Sequence, residues 1–175
     1  MKKSIVISVL GNDSPGLVES LSKIIVAHDG EWIESRMASL AGKFAGILRI
    51  DLPATQVRDF QIALQNAEDL GLSVIFEESL PSQRTPVENQ FEIELIGQDQ
   101  PGIVHRISSA LAQMNANVDE LHTEVIEASM SGENLFKANI KMHIASDVKS
   151  SEIRALLEDL ANELIVDIEL LEADA

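Results

Sequence analysis

The hexapeptide Gly11-Asn12-Asp13-Ser14-Pro15-Gly16 returns later in the chain, at one fixed offset, as Gly97-Gln98-Asp99-Gln100-Pro101-Gly102. At the same offset Ile7 meets Ile93, Val9 meets Leu95, Val18 meets Val104, Leu21 meets Ile107, Ser22 meets Ser108 and Glu34 meets Glu120. Self-similarity at a fixed spacing marks a repeated structural unit. The 175 residues are therefore read as two copies of one small module. The second copy needs a few extra residues near Ser129-Met130-Ser131-Gly132, as a loop insertion would supply.

Each copy reads as strand, helix, strand, strand, helix, strand. In the first, Ser4 to Leu10 has the β-branched, period-two pattern of a strand. Ser14 is expected to cap the first helix, with Pro15 at its first helical position. Leu17, Leu21, Ile24, Ile25 and His28 follow at helical spacing, and Gly30 ends the run. Residues 32–40 and 43–52 read as a hairpin around Ala41-Gly42. Thr55 is expected to cap a second helix carrying Val57, Phe60, Leu64 and Ala67 on one face, stopped by Gly71. Residues 72–77 read as the last strand.

The second copy places strands at 90–96, 117–126, 135–144 and 165–171. Its helices are read at 101–114 and 150–163. Ile103, Ile107, Leu111 and Met114 face inward from the first, and Ile153, Leu156, Leu157 and Leu160 from the second. The segment Pro81-Ser82-Gln83-Arg84-Thr85-Pro86 reads as a short, stiff linker. The expected organisation is a first domain over 1–80, a linker over 81–88 and a second domain over 89–175. The order βαββαβ predicts an α+β fold of two tandem ferredoxin-like domains, each an antiparallel sheet with both helices on one face. Ile5, Val6, Ile7 and Val9 put apolar residues on both faces of one strand. The helix-free face is therefore expected to be covered by the second copy or by another chain; an intramolecular pairing of the two modules is expected, and a homodimer as well.

Each residue of the repeated loop has a local physical use. Gly11 and Gly97 let the backbone turn sharply or approach a ligand closely. Pro15 and Pro101 preset φ for a helical turn. Gly16 and Gly102 leave the helix N-terminus open, where N–H groups and the dipole favour an anion such as a carboxylate. Asp13 and Asp99 then stand ready for an ammonium group. Together the parts suit an amino acid zwitterion. Gln100 is a poor cap, so Asp99 is expected to do that work in the second copy and Asp13 to be the spare carboxylate. The expected ligand-contacting set is Gly11, Asn12, Asp13, Pro15, Gly16, Leu17 and Val18, with Gly97, Gln98, Asp99, Pro101, Gly102, Ile103 and Val104. Leu17, Val18, Ile103 and Val104 are expected to crowd the site and select a small effector.

Composition narrows the partners. The net charge is −16, which repels phosphate backbones and anionic membranes. Only 3% of residues are aromatic, too few to build a base-stacking platform. With no cysteine, disulfides, thiolate metal sites and a cysteine nucleophile are excluded, and a reducing cytoplasm is the expected compartment. The apolar stretch after Met1-Lys2-Lys3 ends too early, at Gly11, for a signal peptide, and none spans a bilayer. His28 is expected at the rim of the first core, and His105 near the second helix start. His122 and His143 lie in strands without metal-ligand spacing, and neither His-Glu-x-x-His nor Gly-x-Ser-x-Gly occurs. Arg36 and Arg49 read as solvated strand charges. No metal, cofactor or catalytic residue is expected.

Gly-x-Asp-x-Pro-Gly-hydrophobic-Val at a strand-to-helix junction, in βαββαβ order, resembles the ACT domain. Asn115-Ala116-Asn117-Val118 is similar to the Gly-Ala-Asn-Ile that follows the helix in that family, whereas the first copy departs with Asp29-Gly30-Glu31-Trp32. Two such modules with nothing attached, in so acidic a chain, resemble the family of glycine cleavage system transcriptional repressors. That resemblance implies a non-enzymatic regulator responsive to a small amino acid, glycine in that family. It also implies action on a DNA-binding activator protein rather than on DNA. The alternatives are an ACT-fold interaction module without a ligand, and a regulatory fragment similar to the N-terminal part of formyltetrahydrofolate deformylase.

Overall fold

The computed structural model describes residues 1–66, 71–78, 88–127 and 133–172. The chain divides into two compact units, Met1–Gln83 and Arg84–Ala175. In the first, β1 (Lys2–Asn12) is followed by α1 (Leu17–Ala27), β2 (Glu31–Leu40), β3 (Lys43–Pro53), α2 (Val57–Gln65) and β4 (Leu72–Glu78). The second repeats the order as β5 (Glu88–Gln98), α3 (Ile103–Gln113), β6 (Asn117–Glu127), β7 (Asn134–Ala145), α4 (Ser150–Leu164) and β8 (Val166–Glu172). The sheets run β2-β3-β1-β4 and β6-β7-β5-β8, every neighbouring pair antiparallel. This is the expected pair of ferredoxin-like βαββαβ units. Ala67, the linker residues 81–87, the insertion at 129–132 and the end of the tail lie outside the described residues.

Period-two strands and amphipathic helices give each unit its own core. In the first, Ile5, Ile7, Leu48, Ile50 and Leu52 from the sheet meet Leu21, Ile25, Phe60 and Leu64 from the helices. In the second, Ile93, Leu95, Ile140 and Met142 meet Ile107, Leu111, Ile153 and Leu157. Both helices of a unit thus cover one sheet face. His28 sits at the rim of the first core, as expected. Its Nδ1 lies 2.8 Å from the Ile24 carbonyl oxygen, and its ring meets Phe60 edge-on at 5.6 Å.

Ala41 and Gly42 both take positive φ, 51° and 77°, in the tight hairpin expected between β2 and β3. Several other features differ from the sequence reading, each for a backbone reason. Asp29, at φ 55°, turns the chain out of α1, and Gly30 only returns its N–H to the Ile25 carbonyl. Asn115 does the same after α3, at φ 54°. Thr55 does not cap α2; the cap position is Gln56, and no side chain caps it. Both β2 and β6 carry an irregularity at the same place, beside Trp32 and beside Val118.

One boundary residue is strained. Gly71 precedes β4 with φ 76°; the residue in that place before β8 is Ile165, at φ 54° and 85% exposed. A β-branched residue in the left-handed region costs roughly 1–2 kcal/mol. So exposed a side chain has little packing to lose. Ile165→Gly is therefore expected to stabilise the second unit by about 1 kcal/mol, the gain reduced by the extra freedom of glycine in the unfolded chain. Urea denaturation measures it, and an unchanged or lower midpoint would contradict the strain.

Candidate functional site

The two loops have the same build. β1 ends at Asn12, Pro15-Gly16 forms a turn, and α1 begins at Leu17. Gly16 is the cap residue, at φ 93° and ψ 0°, and its carbonyl accepts the Ser20 N–H at 2.9 Å. Gly102 has φ 86° and ψ 3°, and its carbonyl accepts the Arg106 N–H at 3.1 Å. A left-handed residue cannot lie inside a right-handed helix. Ser14 is therefore not the cap, and neither Pro15 nor Pro101 is helical; each proline presets the turn just before the glycine. No side chain caps either helix. Asp99 is accordingly not engaged as a cap, and the expected inequality between Asp13 and Asp99 does not arise.

The loops are tied down by main chain instead. The Asp13 N–H donates to the Gly42 carbonyl at 2.9 Å, and the Asp99 N–H to the Asn134 carbonyl at 3.1 Å. This holds each loop against the start of the third strand of its own unit. Both aspartates are exposed, and neither carboxylate has a hydrogen-bond partner among the described residues. Gly11 and Gly97 also have a structural cause. A Cβ on Gly11 would collide with the Gly71 carbonyl oxygen, and one on Gly97 with the Val166 side chain. The close approach they permit is to the neighbouring strand. At Gly16 and Gly102 a Cβ would meet nothing within 4 Å, so there the glycine serves φ and leaves the space above the helix end open.

Around this shared frame the loops differ. Lys43 Nζ donates to Asn12 Oδ1 at 2.5 Å, which sets a cation at the edge of the first loop. Gln100 Nε2 donates to the Leu164 carbonyl at 2.8 Å, which braces the second loop on the end of α4. The first turn of α1 carries Glu19; that of α3 carries no acid. Lys23, 2.7 Å away, holds the Glu19 carboxyl below its usual range through a hydrogen bond and its charge. Glu19 therefore stays ionised and weakens the pull of the first helix end on an anion. Leu17 and Ile103 point into the cores, so each can offer an outside molecule only its main chain. Val18 and Val104 are exposed at the helix ends and can crowd it.

A small apolar groove in the second unit has no counterpart in the sequence reading. It encloses about 30 Å³ between α3 and β6. Val104, Ser108 and Leu111 form one wall, Val118 and Thr123 the other, and Phe136 and Ala138 the floor. The strand registers put Trp32 and Met37 where Val118 and Thr123 stand, and both pack onto the first core. A volume of that order holds about one methyl group or one water. His105, in the first turn of α3, lines a separate groove with Arg106, Asp159 and Glu163. His143 Nδ1 lies 2.8 Å from Asp119, and Arg49 pairs with Glu34 at 3.0 Å. Among the described residues no group of three or more His, Asp or Glu side chains could hold a metal ion. No described helix is long and apolar enough to cross a membrane.

The family model for the ACT domain matches residues 3–77 and again 89–170. The chain is 22% identical over 162 residues to the glycine cleavage system transcriptional repressor of Escherichia coli (strain K12), covering 91% of this chain and 85% of that protein. A UPF0237 protein of Methanopyrus kandleri is 34% identical over 77 residues, 43% of this chain and 79% of its own length. The crystal structure of an unknown protein from Galdieria sulphuraria superposes with a TM-score of 0.90 at 30% identity, over 99% of this chain and 100% of that one.

Proposed function

The chain belongs to the ACT domain family through both of its halves, and from that membership we propose that it is a non-enzymatic, amino-acid-responsive regulator of transcription. In this reading a small amino acid, glycine foremost, lies at the repeated loops. Its carboxylate takes the first-turn N–H groups of α1 or α3, and its ammonium group takes Asp13 or Asp99. Gly16 and Gly102 keep the approach open, while Val18 and Val104 limit the side chain. The bound amino acid alters affinity for a DNA-binding activator protein in the cytoplasm. The net charge of −16 supports a protein target over direct contact with DNA. Similarity along 91% of the chain to a protein named a glycine cleavage system transcriptional repressor supports the regulatory role.

The observation that carries the proposal is the pairing, in both loops, of an uncapped helix end with an exposed aspartate that has no partner among the described residues. A loop needed only as a turn requires its glycines, but it does not require that aspartate. Titration calorimetry with glycine, alanine and serine tests the reading. Asp13→Ala and Asp99→Ala are each expected to weaken binding at their own loop by about 10- to 100-fold, as loss of a charge-assisted hydrogen bond implies. By linkage, the activator must change amino acid affinity by the same factor that the amino acid changes activator affinity. No heat and no thermal shift with any of the three would leave an interaction module without a ligand.

A further inference from the structure

The seams between helix and edge strand beside the two loops are unlike. On the helix side they match: Val104, Ile107, Ser108 and Leu111 of α3 stand where α1 has Val18, Leu21, Ser22 and Ile25. The strand side differs. Where β2 packs Trp32 and Met37 onto the first core, β6 has Val118 and Thr123. Met37 lies so close over Gly46 that a Cβ on that glycine would collide with it. In the second unit two small side chains thus replace two large ones. Leu121 and Ala138, in place of Ser35 and Gly46, give back only part of the volume. What is left is the groove of about 30 Å³ between α3 and β6.

That groove adjoins the second loop. Val104 is one of its walls and also the second residue of α3, in the first turn that the loop opens onto. Phe136, on its floor, pairs with Gly97, the first residue of the loop. A buried water needs about two to four polar partners. These walls are almost wholly apolar, and the Ser108 hydroxyl already donates to the Val104 carbonyl at 2.8 Å. The space suits a methyl group better. From this juxtaposition we infer that the second loop selects L-alanine over glycine, with the alanine methyl seated between α3 and β6. The first loop, where Trp32 and Met37 hold the equivalent place, takes glycine. The inference rests on the reading that the loops bind amino acids, and it adds which one each loop takes. One methyl group in an apolar pocket strengthens binding by about tenfold. A side chain larger than the space forces its walls apart and reverses the gain.

Titration calorimetry of two full-length variants separates the loops. In Asp13→Ala, which leaves the second loop, L-alanine is expected to bind about tenfold more tightly than glycine. L-valine should bind there at least about tenfold more weakly than L-alanine. In Asp99→Ala, which leaves the first loop, glycine is expected to bind about tenfold more tightly than L-alanine. Thr123 is exposed, and Thr123→Met added to Asp13→Ala should bring L-alanine down to no better than glycine. Val118→Trp, which copies the first unit, is expected to do the same. Each result is a ratio of two affinities in one protein, so a general loss of affinity does not imitate it. No binding of any of the three to either variant overturns the amino acid reading, and the inference with it. Glycine binding to Asp13→Ala with L-alanine no tighter, the same preference at both loops, or a preference that survives both substitutions overturns the inference alone.

Discussion

Gly97→Val is expected to destabilise the second unit by about 3 kcal/mol, the upper end of the usual cost of overpacking. Gly97 pairs with Val166 across β5 and β8. A Cβ there would collide with the Val166 side chain and stand 3.0 Å from its Cα. The obstacle includes strand backbone, which cannot swing aside as the end of a long side chain can. The opposite case lies a few residues on. At Gly102 a Cβ would meet nothing within 4 Å, and only φ 86° opposes it, so Gly102→Ala should cost about 1–2 kcal/mol. Urea denaturation of the two variants gives the order. A smaller loss for Gly97→Val than for Gly102→Ala would mean that β8 yields, and that the first glycine of the loop has a cause outside the sheet. Because Gly97 leads directly into Asp99, the same variant should also displace the second loop and weaken its amino acid binding.

The contrast between those two glycines shows how far the residues could be read without coordinates. The repeat, the element order and both cores follow from period-two and helical spacing, which survive small errors of boundary. What failed was local backbone state. Pro15 and Pro101 carry the signature of a first helical residue, yet the glycine after each takes a left-handed φ and moves the helix start beyond it. Ile165 has no signature at all, since a β-branched residue is the last type expected at φ 54°. The loops themselves were legible as a place. Their supposed inequality was not, because it depended on which residue caps each helix. The groove beside Val104 was hidden for another reason. Matching Val118 and Thr123 with Trp32 and Met37 requires the register past the irregularities in β2 and β6. In a strand, a slip of one residue exchanges the two faces.

Phe60→Ala should be costlier still, about 3–5 kcal/mol, all of it in the first unit. Phe60 is 1% exposed at the centre of that core. Its ring takes His28 edge-on at 5.6 Å and lies tilted against Phe76 at 6.5 Å. Cutting it back to a methyl group removes both contacts and leaves a cavity in that core. Small domains keep only about 5–15 kcal/mol in all, so the loss takes a large share of what holds this unit together. The two cores have no residue in common. Hydrogen exchange is therefore expected to show amides of Ile5, Ile7 and Leu48 losing protection while those of Ile93 and Ile140 keep theirs. Equal loss in both units would mean that they fold as one. If they part as expected, the variant also dissects the proposed sensor. Amino acid binding should then persist at the second loop alone, and Asp99→Ala added to Phe60→Ala should abolish it.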